Sequence, residues 1–400
     1  MASTREEQAE AQVLAGVQDS AEVHPIAAEE ATAQANMTGE NGDGADEAFQ
    51  PATRANYRDL GLNGDQLLEM YYYMLLARSL DERQWLLNRQ GKIAFVISCQ
   101  GQEAAQVGLA YALEKGKDFV CPYYRDLGFM VTLGQTAKDV MLSVWGRAEN
   151  TDSGGKQMPG HFGHRKLNVP TGSSPIGTQN VHAAGVALAF KLRGIDGVVT
   201  TQIGEGGTSQ GDWHEAMNFA STMKLPMIMM VENNKYAISE PQDRQMAIKN
   251  VADRAPGYGM PGVIVDGNDV LDVYRAAVEA VRRARAGEGP TLIEAKVTRY
   301  TPHSSDDDDR RYRDRAEVEE VKNNRDAITI FRKLLTDEGI LTSELDEKIR
   351  SGIRAQVDEA TEYAMSAPDP APSDLYRHVY ADQSERTFDS QLSFEWSGSK

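Results

Sequence analysis

The sequence predicts an α/β protein: a doubly wound, mostly parallel sheet flanked by helices, with a helical C-terminal appendage. A first β-α-β pattern begins with a β-branched run at 198–203 and continues with apolar residues at helical spacing over 213–223. Pro226 ends that helix, and residues 227–231 read as a buried parallel strand.

A second β-α-β pattern supports the same fold class. Strand-then-turn residues occupy 263–269, an amphipathic helix covers 270–286, and a strand returns at 291–297. Repeated units of this kind imply a doubly wound parallel sheet. Downstream, charged amphipathic helices are predicted over 316–335 and 343–365.

Three parts are predicted along the chain: a disordered acidic arm at 1–52, an α/β domain with N-terminal helices at 53–335, and a C-terminal helix and tail at a subunit interface at 336–400. The first 50 residues hold eleven acids and one arginine, too polar a composition to form a core. The first helix should begin at Asn63.

Composition excludes several function classes. A formal charge of −18 argues against nucleic acid as a partner. Cys99 and Cys121 are the only cysteines, which favours a reducing compartment. No apolar run is long enough to span a membrane and the first residues do not resemble a signal peptide, so the chain is expected in the cytoplasm.

The first β-α-β unit also carries chemistry. Glu205 ends one strand and Asn233 and Asn234 end the next, so their side chains should meet where open α/β sheets bind ligands. A carboxylate and an amide oxygen suit Mg²⁺, and Gly206 and Gly207 let backbone N–H groups approach a diphosphate. The alternative is a nicotinamide-binding turn, but the third glycine of that fingerprint is missing.

Further candidates lie in three loops. Arg125 could bind a diphosphate beside Tyr124, although composition alone equally favours a surface salt bridge. The loop at 151–180 contains His161 and His164, but no further zinc ligands accompany them. His303 stands in a polar loop, where a histidine is usually solvated.

These motifs resemble one family. The glycine–acid–glycine turn followed by NNKYAIS at 233–239 is similar to the thiamine diphosphate signature of 2-oxo acid enzymes. The runs GKIAFVISCQGQEA at 91–104, YRD at 124–126 and SSPIGTQ at 173–179 resemble the alpha subunit of the branched-chain 2-oxo acid dehydrogenase decarboxylating component. Glu205 departs from the aspartate that most thiamine enzymes carry.

The resemblance implies roles for individual residues. Mg²⁺ would be bound by Glu205, Asn234 and the Tyr236 carbonyl, and a potassium ion by oxygens of Ser173, Pro175, Thr178 and Gln179. The cofactor would contact Tyr124, Arg125, Ser174, Ile176, Glu205, Gly206, Gly207, Asn234 and His303. His303 would also guard the reacting centre, and Phe95 and Tyr124 would line the acyl pocket.

The implied activity is oxidative decarboxylation of branched-chain 2-oxo acids with acyl transfer to a lipoyl group. The family divides its site, so the resemblance implies a beta subunit, an alpha-two beta-two heterotetramer and a lipoyl acyltransferase core. The alternatives are a pyruvate or acetoin dehydrogenase alpha subunit and a noncatalytic subunit that binds the cofactor only for assembly.

Overall fold

The computed structural model describes residues 55–377 and Val379. The predicted disordered arm at 1–52 therefore lies outside the described residues. Within them, strands are β1 (Phe119–Cys121), β2 (Val199–Gly204), β3 (Met227–Asn233), β4 (Tyr236–Ala237), β5 (Glu240–Pro241), β6 (Gly262–Asp266) and β7 (Thr291–Lys296).

The α-helices of the described chain are α1 (Gly64–Arg89), α2 (Glu103–Tyr111), α3 (Leu127–Leu133), α4 (Ala137–Val144), α5 (Thr178–Arg193), α6 (Gly211–Thr222), α7 (Gln242–Gln245), α8 (Ala255–Tyr258), α9 (Val270–Arg285), α10 (Arg315–Arg325), α11 (Ala327–Asp337) and α12 (Ser343–Ser366). Short 3₁₀ helices lie at Arg165–Leu167, Glu205–Ser209, Val251–Arg254, Asp309–Arg311 and Pro372–Tyr376. None of the helices in the described part of the chain is both long and apolar enough to cross a membrane.

Five strands form one parallel sheet in the order β1-β2-β3-β7-β6. Alternate residues of β3 face two different cores. Ile228 and Met230 pack with the helices at the N-terminal and C-terminal ends of the described chain, while Met227 and Met229 pack with α5 and α6. Helices therefore cover both faces, and the predicted doubly wound parallel sheet is confirmed.

Local sequence signals predicted the start of one helix correctly and the extent of another wrongly. Asn63 caps α1 in a capping box with Gln66, as the predicted start requires. The single helix predicted over 316–335 is wrong: the structure has α10 and α11 instead. Asp326 separates them, because its extended backbone and its side chain, which accepts from the Thr329 N–H, form the N-cap of α11.

The C-terminal helix packs on the N-terminal one. Ile349 and Ile353 of α12 belong to the same core as Leu67 of α1. Asp346 accepts a hydrogen bond from the Tyr71 hydroxyl at 2.8 Å. These two helices, with α2 and α3, share one core with residues of β3 and β7 and therefore cover one face of the sheet.

Candidate active site

Glu205 and Asn234 meet at the carboxyl edge of the sheet. Gly204 of β2 stands opposite Glu232 of β3, so the residues that follow each strand emerge side by side. The Asn234 backbone N–H donates to Glu205 Oε2 at 3.1 Å. Glu205 is fully buried, and burial raises the pKa of its carboxyl group to about 7.

The oxygen atoms here fit a divalent cation. Glu205 Oε1 is buried and has no hydrogen-bond partner in the part of the chain that the structure describes. The Asn234 side-chain oxygen, on the residue whose backbone N–H bonds Glu205, accepts from the Tyr236 N–H at 3.2 Å. Carboxylate, amide and carbonyl oxygens are the ligands that Mg²⁺ takes, and a dication would satisfy the unpartnered oxygen while favouring the ionised carboxylate.

Two glycines allow a close backbone approach next to Glu205. A Cβ on Gly206 would lie 2.3 Å from the Ala237 Cβ, and a Cβ on Gly207 would lie 2.5 Å from Ile203 Cδ1. The sequence predicted a glycine turn here, followed by a helix over 213–223. The structure instead places them in the 3₁₀ helix Glu205–Ser209, with α6 beginning afterwards at Gly211.

Arg125 lies inside the protein, which contradicts the alternative of a surface salt bridge. Its side chain is almost fully buried, and no ion pair involves it within the described residues. Nη1 donates to the Ser98 carbonyl at 2.5 Å, and Nη2 donates to the His303 carbonyl at 3.1 Å. Arg125 also lies over the Tyr124 ring, 5.4 Å from its centroid.

A buried aspartate that the sequence did not single out holds the segment under Arg125. Asp81 of α1 accepts from Ser98 Oγ at 2.9 Å, from the Cys99 N–H at 2.6 Å and from Gln100 Nε2 at 3.1 Å. These bonds fix the Ser98 carbonyl that receives the Arg125 guanidinium. An acidic residue in the interior of α1 gave no local signal of this role.

His303 is brought to Arg125 across 178 residues of sequence. Its Nδ1 lies 3.2 Å from Arg125 Nη2. Because arginine only donates, Nδ1 must accept, and the neutral ring carries its proton on Nε2. Burial, and then the charges of Arg125 and Arg299, lower the pKa of His303 to about 4, so the ring is neutral at pH 7.

The His303 loop is docked rather than free. The His303 N–H donates to Asp307 Oδ2 at 2.8 Å, and the Ser305 N–H donates to the Val96 carbonyl at 2.8 Å. Ser304 is buried. Half-buried Phe95 immediately precedes Val96, so this docking brings the predicted acyl-pocket residue to the same loop as His303.

The 173–179 segment borders the glycine turn. Ile176 is 38% exposed, and its Cγ2 is 3.0 Å from where a Cβ on Gly207 would stand. Ser174 Oγ contacts His161 Nε2 at 2.6 Å. Ser173 and Pro175 lie in the loop, whereas Thr178 and Gln179 form the first turn of α5; a potassium site formed by these four stays a prediction.

Sequence reasoning missed Arg299. This arginine lies three residues beyond β7, the strand that pairs with β3, and it is 1% exposed. Its positive charge acts to lower the pKa values of both Glu205 and His303. The carboxyl ends of parallel strands are where ligands bind, so its position directly after a predicted strand was the available signal.

Comparison with known proteins identifies the family of this chain. The family described as the dehydrogenase E1 component matches residues 71–373. The 2-oxoisovalerate dehydrogenase subunit alpha of Bacillus subtilis is 54% identical over 325 residues, which cover 81% of this chain and 98% of that relative.

More distant relatives carry two different substrate names. The 3-methyl-2-oxobutanoate dehydrogenase subunit alpha of Mycobacterium tuberculosis is 40% identical over 83% of this chain and 86% of the relative. The pyruvate dehydrogenase E1 component subunit alpha of Bacillus cereus is 40% identical over 80% of this chain and 83% of the relative. The family match and these relatives lead to one conclusion: the chain belongs to the dehydrogenase E1 component family.

Proposed function

We propose that this chain is the alpha subunit of a thiamine diphosphate-dependent dehydrogenase component that decarboxylates branched-chain 2-oxo acids. The observation that carries the proposal is the buried, half-satisfied Glu205 carboxyl group beside Asn234, at the edge of the sheet where Arg125 and His303 also meet. The 54% identity over nearly the whole Bacillus subtilis alpha subunit supports the branched-chain class.

The protein's own residues would bind and orient the cofactor. Glu205, Asn234 and the Tyr236 carbonyl would hold Mg²⁺, and the ion would supply positive charge for diphosphate oxygens. Gly206 and Gly207 would offer close backbone contact, and Arg125 would donate to the diphosphate. Thiamine diphosphate, when bound, supplies the carbanion stabilisation that decarboxylation of a 2-oxo acid requires.

His303 has the protonation state that a guard of the reacting centre needs. Its Nδ1 accepts from Arg125, so its Nε2–H is free to donate to an oxygen of the cofactor or the substrate. Its pKa of about 4 keeps the ring uncharged at working pH. The docked loop around it would exclude water from that side of the site.

Partners follow from the relatives' designation as alpha subunits. A beta subunit would complete the site in an alpha-two beta-two heterotetramer, and a lipoyl acyltransferase core would receive the acyl group. Residues 336–400 would contribute to a subunit interface, and oxygens of Ser173, Pro175, Thr178 and Gln179 would bind potassium. The two cysteines are free and buried, as a reducing cytoplasm permits.

Substrate preference is the direct test. Phe95, Tyr124 and Ile176 would form an apolar wall sized for branched acyl groups, and each methylene missing from a substrate should cost roughly 1–3 kcal/mol of transition-state binding. With the reconstituted complex, kcat/KM for 3-methyl-2-oxobutanoate, 4-methyl-2-oxopentanoate and 3-methyl-2-oxopentanoate should exceed that for pyruvate by at least ~10²-fold.

Three outcomes separate the candidate functions. The isolated chain should not turn over any of these acids, and addition of the beta subunit should restore turnover. A kcat/KM for pyruvate equal to that for the branched acids would favour a pyruvate dehydrogenase alpha subunit, the name of the Bacillus cereus relative. Cofactor binding without turnover in the complete complex would indicate a noncatalytic subunit.

A further inference from the structure

Arg299 is a buried guanidinium with most of its hydrogen-bonding capacity unused. Its Nη2 donates to the Ile238 carbonyl and to the Tyr312 hydroxyl oxygen, each at 2.9 Å. Its Nε and Nη1 atoms are buried and have no hydrogen-bond partner among the described residues. A guanidinium stays charged and has five N–H donors, so leaving these donors unpaired in the interior is costly.

The charges around Arg299 do not compensate for it. No ion pair is formed by Arg299 in the described chain, although Asp307 lies close enough for Arg299 to lower the pKa of that carboxyl group. Burial, followed by the like charge of Arg125, lowers the pKa of Arg299 itself, and Arg313 acts in the same direction. Arg125 at His303 and Arg299 at the Ile238 carbonyl are both buried, so two positive charges stand at this edge of the sheet, where an anion would be stabilised.

A purely structural role accounts for only one nitrogen of Arg299. Nη2 holds the turn between β4 and β5, where Ile238 has a φ of +57°, a strained conformation for a β-branched residue. That turn continues from Ala237, which packs against Gly206. Arg299 is therefore tied to the glycine turn through Nη2, while Nε and Nη1 remain available for a ligand.

We propose that Arg299 is a second cationic ligand of the cofactor diphosphate, with Nε–H and Nη1–H donating to phosphate oxygens. This inference rests on the proposed function, and it assigns the anion to two buried guanidiniums, Arg125 and Arg299. The planar fork of an arginine suits two oxygens of one phosphate group, which a lysine cannot reproduce.

The experiment compares ligands that differ only in the diphosphate. The full chain assembled with its beta subunit is titrated calorimetrically with thiamine diphosphate and Mg²⁺, with inorganic pyrophosphate and Mg²⁺, and with thiamine. Arg299→Gln should weaken both diphosphate ligands by ~10–100-fold, the effect of losing charge-assisted hydrogen bonds, and leave thiamine binding unchanged. Arg299→Lys should show an intermediate loss.

Tyr312→Phe is the matched control. It removes the hydroxyl that accepts from Arg299 and contacts Asp307, but it keeps the Arg299 charge and its two free nitrogens. Pyrophosphate affinity should therefore stay within ~3-fold of the wild type, because loop anchoring alone supplies no phosphate contact.

The outcomes distinguish this inference from the proposed function. If the wild-type assembly binds no diphosphate ligand, the proposed function is overturned and the inference with it. Two results would overturn only the inference, provided that the wild type binds the diphosphate ligands. Either both Arg299 variants bind these ligands as tightly as the wild type, or both variants lose affinity for thiamine and pyrophosphate together. If Arg299→Gln does not fold, a pyrophosphate affinity of Arg299→Lys equal to that of the wild type would overturn the inference.

Discussion

Replacing Glu205 by glutamine should stabilise the ligand-free chain above neutral pH and abolish magnesium-dependent cofactor binding. The carboxyl group is fully buried, and no residue within 55–377 is a hydrogen-bond partner of its Oε1, so ionisation without a metal is unfavourable. Glutamine has nearly the same shape and is neutral at every pH. It would remove the cost of the buried charge together with the ligand that Mg²⁺ needs.

The magnitude follows from the pKa of Glu205. The folded chain holds this proton up to a pKa of about 7, whereas the unfolded chain releases it near the ordinary value of 4.5. A raised folded-state pKa contributes stability that is fully present below 4.5 and lost as the pH rises through about 7. The loss should reach ~3 kcal/mol, and the glutamine variant should not show it.

Urea unfolding of the ligand-free chain from pH 4.5 to 8.5, followed by tryptophan fluorescence, measures the effect. The difference in unfolding free energy between variant and wild type should grow across that range and level off above pH 8. Adding Mg²⁺ and thiamine diphosphate at about 100 times the dissociation constant should then stabilise the wild type by ~2.7 kcal/mol and leave the variant unchanged.

Two results would refute this reasoning. Parallel pH profiles for the two proteins would mean that Glu205 does not take up a proton on folding. Equal stabilisation by Mg²⁺ and cofactor would mean that the carboxylate is not a metal ligand, and the site would have to lie elsewhere.

Two further predictions concern the same edge of the sheet. His303 has a lowered folded-state pKa, so its contribution to stability is present above pH 6.5 and lost as the pH falls towards about 4. In urea unfolding, His303→Asn should remove roughly 1–2 kcal/mol of that pH dependence. His303→Ala should reduce turnover by ~10²–10⁴-fold. Gly206→Ala should weaken cofactor binding at least ~10-fold in calorimetric titration, because its Cβ would overlap Ala237, whereas Gly211→Ala faces open space and should bind normally. A wild-type pH profile for His303→Asn would contradict the first expectation. Equal cofactor affinity of Gly206→Ala and Gly211→Ala would contradict the second.

Local patterns predicted the central unit well. β-branched and apolar runs placed β2 and β3 within a few residues, because a buried parallel strand needs a continuous apolar stretch. Parallel pairing then brought Glu205 to Asn234, as the positions at the strand ends imply. Errors occurred where a polar residue offered a competing local bond, as at Asp326, which begins a new helix inside a charged amphipathic stretch.

The sequence by itself determined β2, β3, β6 and β7, the helices α6, α9 and α12, and the meeting of Glu205 with Asn234, because these depend on local periodicity and on the geometry of β-α-β units. Only the tertiary structure decided which distant side chains join them. Arg125 reaches His303, and the charge of Arg299 acts on both, because the sheet order puts β1 and β7 on either side of the central strands. Burial and the approach of these charges then set the pKa values of Glu205 and His303, and neither quantity is encoded in any single stretch of the chain.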